Sequence, residues 1–291
     1  MKNSNKNFVA SALPHTRKAQ FFDILKHRYG LLILCGIFAF LGFAPLLFAY
    51  GTTVYISNAS VFLEIVKSYS NDAGQQAYLY FWTVNVSYAI MIPLFTIGFV
   101  ILVGVLRVFR LLGWGEGVFF FHDFWKGIKA NFKTGILLSL ILGTYIFITK
   151  FIGGALTLYA DANLGTGVEI FFKGALFLLV VPLVIVSLLL TTYFDQKFSV
   201  AVSNAFRLYA NKVFPFLGCS IVLATIYLFP FIGNYYLILL SVALTMVFLF
   251  PIYLLTCNEI ALASFDELID IPGVKLKGLY DPKMYVEEEN L

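Results

Sequence analysis

The sequence predicts an all-α membrane protein: six transmembrane helices in three helical hairpins, with amphipathic interfacial helices on the cytoplasmic side. Three observations carry that expectation. Of 291 residues, 60% are hydrophobic and 12% charged, against about 25% charged in a soluble domain. A single soluble core of this length could not cover so much apolar surface, whereas a bilayer can. The apolar residues gather in six runs that reach or approach the ~20 residues needed to cross a ~30 Å hydrocarbon layer. Finally, the basic residues fall between those runs in an alternating pattern, which is the signature of membrane orientation.

Residues 1–30 hold Lys2, Lys6, Arg17, Lys18, Lys26 and Arg28. No small-residue cleavage site follows a short apolar stretch there, so the segment is expected to remain as a basic cytoplasmic arm rather than to act as a signal peptide. The membrane domain covers 31–257. Its spans are expected at 31–50, 83–106, 135–158, 170–192, 213–232 and 235–257. Residues 51–82 and 159–169 are expected as loops on the outer side, and Gly233-Asn234 turns the last hairpin. A connection that short makes the fifth and sixth helices antiparallel neighbours. Residues 258–291 form the cytoplasmic tail. Within it, 261–269 sets Leu262, Phe265, Leu268 and Ile269 on one helical face, ahead of an acidic end at Glu287-Glu288-Glu289.

Orientation follows from Lys and Arg. Between spans two and three lie Arg107, Arg110, Lys126, Lys129 and Lys133. Between spans four and five lie Lys197, Arg207 and Lys212. The tail adds Lys275, Lys277 and Lys283. With the N-terminal six, these make 17 of the 20 basic residues, all on one side, and the basic-rich side is cytoplasmic. Both termini are then cytoplasmic.

A short amphipathic piece precedes each odd span, at 22–28, 123–133 and 199–212, and the last two share an Ala-Asn pair (Ala130-Asn131 and Ala210-Asn211). In the third piece Phe198, Val202, Phe206, Tyr209 and Val213 follow helical spacing. Each even span carries a proline: Pro93, Pro182 and Pro251. The unit interfacial helix, span, outer turn, proline-containing span thus occurs three times. The prolines are candidate kinks, because each removes a backbone hydrogen bond.

No nucleophile–base or metal-ligand spacing is present. His15, His27 and His122 fall in cytoplasmic or interfacial segments, and no phosphate-binding glycine loop exists. The pair His122-Asp123 reads as a solvated dipeptide. Cys35, Cys219 and Cys257 stand alone in apolar runs and read as buried thiols. No catalytic, cofactor-binding or metal-binding residue is expected, and the net charge of +4 reflects orientation, not nucleic-acid binding. Lys150 and Lys173 interrupt apolar runs in the same hairpin. They are candidates for contact with an anion or lipid headgroup, with snorkelling to the interface as the simpler account. Asn258-Glu259 mark the inner boundary of the last span. No carboxylate lies deep in a span, which argues against ion-coupled transport.

The middle of the chain carries a resemblance. Ile92-Pro93-Leu94-Phe95-Thr96-Ile97-Gly98 is followed by Gly115-Glu116-Gly117, then Phe121-His122-Asp123-Phe124-Trp125, then Lys129-Ala130-Asn131-Phe132-Lys133. This order resembles the YesL-like family of bacterial integral membrane proteins, a family of unknown function. The likeness covers about 90–140; the long N-terminal segment and residues 51–82 depart from it. The resemblance implies a bacterial cell membrane and a non-enzymatic accessory role beside a carbohydrate ABC transporter permease. Candidate partner-docking residues are Asp123, Lys126, Lys129 and Asn131 on the second interfacial helix, and Asn204, Arg207 and Asn211 on the third. The rival reading is a transporter or channel for a small molecule or lipid, using the proline-bearing spans as a path with Lys150 and Lys173 at its mouth.

Overall fold

A computed structural model describes residues 14–58, 64, 67–68, 72–194, 196–224, 235–268 and 275–279. Among them every regular element is a helix. Helix α1 (Arg17–His27) starts where the Thr16 hydroxyl accepts from the Ala19 N–H at 3.1 Å, satisfying one of the unpaired donors of a first turn. It stops at Arg28, whose backbone leaves the helical region, and α2 (Tyr29–Asn58) follows directly. Helix α3 (Ala73–Gly113) is capped by the Asp72 carboxylate, and α4 (Phe120–Tyr159) runs back along it. Asp161 caps α5 (Ala162–Ala175), which passes through a π-helical turn (Leu176–Val180) into α6 (Val181–Tyr193). Helix α7 (Phe198–Asn211) packs along α6, breaks at Lys212, and α8 (Val213–Ala224) follows. The last pair is α9 (Tyr235–Leu244) and α10 (Phe250–Leu268), joined by a second π-helical turn (Thr245–Leu249).

Among the described residues five helical stretches are long and apolar enough to cross a membrane: Tyr29–Val54, Ala73–Gly113, Phe120–Tyr159, Ala162–Tyr193 and Leu240–Leu268. They carry large apolar side chains turned outward, among them Ile90, Ile97, Ile141, Ile148, Ile170 and Phe171. So much outward apolar surface on long helices is stable against lipid and not against water. The chain is an all-helical, multi-pass membrane protein. The expected fifth span, 213–232, is described as far as Ala224. The Gly233-Asn234 turn and the Glu287-Glu288-Glu289 end lie outside the described residues.

Several expectations change. The second amphipathic piece is not a separate helix: 123–133 is the first part of the 40-residue α4. At 1.5 Å per residue that helix is about 60 Å long, roughly twice the hydrocarbon thickness. The outer segment 51–82 is shorter than expected, because α2 continues to Asn58 and α3 begins at Ala73. On α7 the buried stripe is Ala201, Ala205, Leu208 and Tyr209, while Phe206 is 57% exposed. Small alanines let α7 lie close to α6, so close packing, not the largest apolar residues, sets the buried face. The stretch 261–268 continues α10, with Ala261, Leu262 and Phe265 buried.

The prolines are accommodated in two ways. Pro93 stays inside continuous α3, as Pro45 does inside α2. Each π-helical turn instead begins six residues before a proline and ends two before it, at Pro182 and at Pro251. In both turns the closing bond spans five residues, Val181 N–H to Leu176 O and Phe250 N–H to Thr245 O. A proline leaves the carbonyl four residues back without its α-helical donor. For Pro182 that carbonyl is Leu178's, and the Tyr209 hydroxyl donates to it. For Pro251 it is Val247's, and α2 presses onto it at Gly36: a Cβ there would lie 2.1 Å from the Val247 carbonyl oxygen and 2.7 Å from Pro251 Cγ.

Gly36→Ala is therefore expected to destabilise the protein by about 1–3 kcal/mol, the usual cost of overpacking. Gly30→Ala, where nothing lies within 4 Å, should leave stability level or slightly raised. Thermal unfolding midpoints of the two detergent-solubilised variants check this; equal midpoints would refute the close approach.

Candidate functional site

Two places bring polar chemistry together outside ordinary helix packing, one near the α4–α5 turn and one at the opposite end. Near the turn, α4 supplies Lys150, and α5 supplies Glu169 and Lys173 four residues apart on one face. Lys150 Nζ lies 2.8 Å and Lys173 Nζ 3.0 Å from Glu169 Oε2. Both lysines thus meet one carboxylate, which sequence inspection had placed in a loop. The cluster lies between two cavities that share Lys150 in their walls. The deeper, about 300 Å³, lies between α2, α3, α4 and α5 and is lined by Leu46, Tyr88, Phe95, Ile146 and Leu176 among others. The second, about 510 Å³, lies between the start of α3 and the end of α4, towards the α4–α5 turn, and reaches Glu169 and Asn85. Asn85 is 4% exposed. Its amide donates to the Phe81 carbonyl at 2.7 Å, and its Oδ1 has no hydrogen-bond partner among the described residues.

At the opposite end the candidate docking residues divide. Lys126 and Lys129 are exposed and share a shallow recess with Phe121, His122 and Trp125. Asp123 points the other way: it is buried, and its Oδ2 accepts from the Phe119 N–H at 2.8 Å. That carboxylate holds the start of α4 and is no part of the exposed face, nor does it form a unit with the exposed His122. Asn131 is partly covered. On α7, Asn204 donates to Gln196 Oε1 at 3.2 Å, and Asn211 to the Arg207 carbonyl at 3.0 Å, with Arg207 exposed. The two sets occupy different helices, α4 and α7.

The same end holds a buried polar junction that sequence inspection missed. Arg17 is 8% exposed. Its Nε and Nη2 donate to the two oxygens of Asp266 at 2.8 and 3.1 Å, a fork-on-fork geometry. Nη1 reaches Gln20 Oε1 at 2.7 Å, the Lys277 carbonyl at 3.0 Å and the Gly113 carbonyl at 3.2 Å. Gln20 Nε2 donates to the same Gly113 carbonyl at 2.7 Å. Nearby, the Tyr193 hydroxyl donates to Asn258 Oδ1 at 2.7 Å, and Glu259 is 6% exposed. Asn258 and Glu259, expected at the inner boundary of the last span, are buried within the protein. The ring of Trp114 lies between Arg110, 4.1 Å from its centre, and Lys277, 4.0 Å, whose ammonium also pairs with Glu116 at 2.7 Å. Gly278 has φ +86° and sits where a Cβ would lie 2.7 Å from the Gly113 carbonyl oxygen, so the 275–279 segment fits only with glycine there.

Among the described residues no group of three His, Cys, Asp or Glu side chains is placed to hold a metal ion. The three cysteines are buried and free, and the Cys219 and Cys257 thiols meet across α8 and α10.

Arg17→Met is expected to cost about 3–5 kcal/mol, because it leaves Asp266 buried without its partner. Hydrogen exchange should then rise in both α1 and 275–279 while α4 stays protected; unchanged protection in 275–279 would refute the junction.

Comparison with known proteins yields no matching family model, no matching curated protein and no matching solved structure.

Proposed function

We propose that the chain is a non-enzymatic integral membrane protein with six spans, both termini cytoplasmic, that serves as an accessory or interaction subunit of a carbohydrate ABC transporter in a bacterial cell membrane. The observation that carries the interaction role is the outer face of α4 near its start. There Phe121 and Trp125 are 61% and 56% exposed beside Lys126 and Lys129. The opposite face of the same turns, Phe120, Phe124 and Gly127, is buried against the protein, so the exposed face is rigid. Exposed aromatic rings on a rigid helix suit a partner that supplies an apolar pocket, and the flanking ammonium groups suit an acidic rim. The count of six takes 213–232 as the fifth crossing. Arg17, Arg110, Lys126 and Lys277 at one end support placing that end in the cytoplasm. The carbohydrate transporter as partner comes from the likeness of 90–140 to the YesL-like family.

The cavity beside Lys150 favours a second reading, a transporter or channel for a small molecule or lipid. It stands behind the first because, apart from the two lysines and the hydroxyls of Tyr50, Tyr88 and Thr149, the residues lining that cavity are apolar.

Native purification from the source membrane with lysine crosslinking tests the proposal. The expected result is a permease and its ATPase in stoichiometric amounts, crosslinked at Lys126 or Lys129. The variant Trp125→Ala with Lys126→Glu and Lys129→Glu should reduce recovery of that permease by about tenfold at unchanged protein level. A protein recovered alone, or a variant that keeps its partner, would overturn it.

A further inference from the structure

We propose that the two cavities either side of Lys150 form one binding site for an amphiphile with a single negative charge. The apolar chain occupies the deeper cavity, and the anionic head sits against Lys150 and Lys173. The site is independent of the docking face at the other end of the molecule and of whether the protein transports anything.

Charge identifies the head. Two ammonium groups face one carboxylate at 2.8 and 3.0 Å, which leaves one positive charge in excess. Lys150 is 26% and Glu169 22% exposed, so the cluster is partly shielded from solvent, while Lys173 at 40% remains reachable. Screening is weak in such a place, and a monoanion completes the balance where a dianion would exceed it. The chain follows from shape. A cavity of about 300 Å³ is within the ~300–1,000 Å³ typical of small-ligand sites, which pair an apolar lining with few polar groups. Here the polar groups are gathered at one end, beside Lys150 and Lys173, and the walls beyond are Leu46, Met91, Phe95 and Leu176.

Asn85 adds an independent specification. Asn85 lines the second cavity; its Nδ2 is committed to the Phe81 carbonyl, and its Oδ1 is a buried acceptor without a partner among the described residues. A buried acceptor without a donor costs about 1–3 kcal/mol. The head that suits this site therefore carries a donor, a hydroxyl or amide, besides its negative charge. A phosphodiester lipid with a hydroxylated headgroup has this chemistry, and so does a free hydroxylated fatty acid.

The test uses the full chain in nanodiscs of phosphatidylcholine containing a minor fraction of phosphatidylglycerol, read by native mass spectrometry of the lipids that remain bound. Wild type is expected to retain phosphatidylglycerol over phosphatidylcholine by about tenfold relative to their bilayer ratio. Lys173→Glu, at a half-exposed position that tolerates change, should abolish the preference. So should the uncharged triple variant Lys150→Gln, Glu169→Gln, Lys173→Gln, which leaves no unpaired charge behind. Asn85→Leu should reduce the preference for phosphatidylglycerol over phosphatidic acid esterified with methanol, a monoanion lacking the headgroup hydroxyls. Adding 3-hydroxydecanoate separates the sources: displacement of the lipid assigns the site to a free amphiphile, and retention assigns it to the bilayer lipid, each in keeping with the proposal. No preference in wild type, or a preference that survives both charge variants, would overturn it.

Discussion

Four segments far apart in the chain meet at the guanidinium of Arg17: its own helix, the end of α3 at Gly113, Asp266 on α10, and the 275–279 segment. In a lipid-embedded protein the apolar effect does little to choose between helix neighbours, because lipid tails are as apolar as leucine. Directional bonds then decide which helices stay together. Arg17 uses a planar fork for that purpose, and neutral Gln20 doubles the grip on the Gly113 carbonyl. The interior residues of α3, α6 and α10 gather towards this same end, with Phe109, Leu112, Tyr193, Leu262 and Phe265 in one cluster. The junction thus closes over a core of the kind found in soluble proteins, and the rest of the helices extend from it into lipid.

The far end follows a different logic. Its helices turn apolar side chains outward, and what holds α4 to α5 there is the Lys150–Glu169–Lys173 cluster together with the Tyr145 hydroxyl, which donates to the Phe172 carbonyl at 2.9 Å. The molecule closes on a buried polar junction where α1 meets the 275–279 segment, and two of its cavities lie beside Lys150 near the α4–α5 turn.

Much of the helical layout was legible in the sequence. Apolar runs of span length have few folds open to them, but the helix starts after Asp72 and Asp161 fall inside the expected loops 51–82 and 159–169. The junction was not legible: Arg17, Gln20 and Asp266 each look like a solvated polar residue, and most of their bonds reach more than ninety positions along the chain. Asp123 misled for the same reason, since a carboxylate that caps a helix and one that docks a partner are the same letter. On α7, alanines weigh little in a hydrophobic pattern, so Phe206 drew the expected face towards itself. At the other candidate site Lys150 and Lys173 stood out because charge is rare in apolar runs, whereas Glu169 was hidden by its place at an expected loop end, and Asn85 by being uncharged.

The paired π-helical turns have a consequence for how such a chain can change length. A turn closed over five residues instead of four holds one residue more than the α-helix needs, while the helix beyond it keeps its phase. At 3.6 residues per turn, removing a residue elsewhere in α10 would rotate everything after it by about 100° and carry Asn258 and Phe265 off the face that meets Tyr193. Within Leu176–Val180 or Thr245–Leu249 the same deletion restores a plain helix and leaves those contacts in place. These two short stretches are where a lineage of such proteins can lose a residue from a membrane helix and keep its architecture.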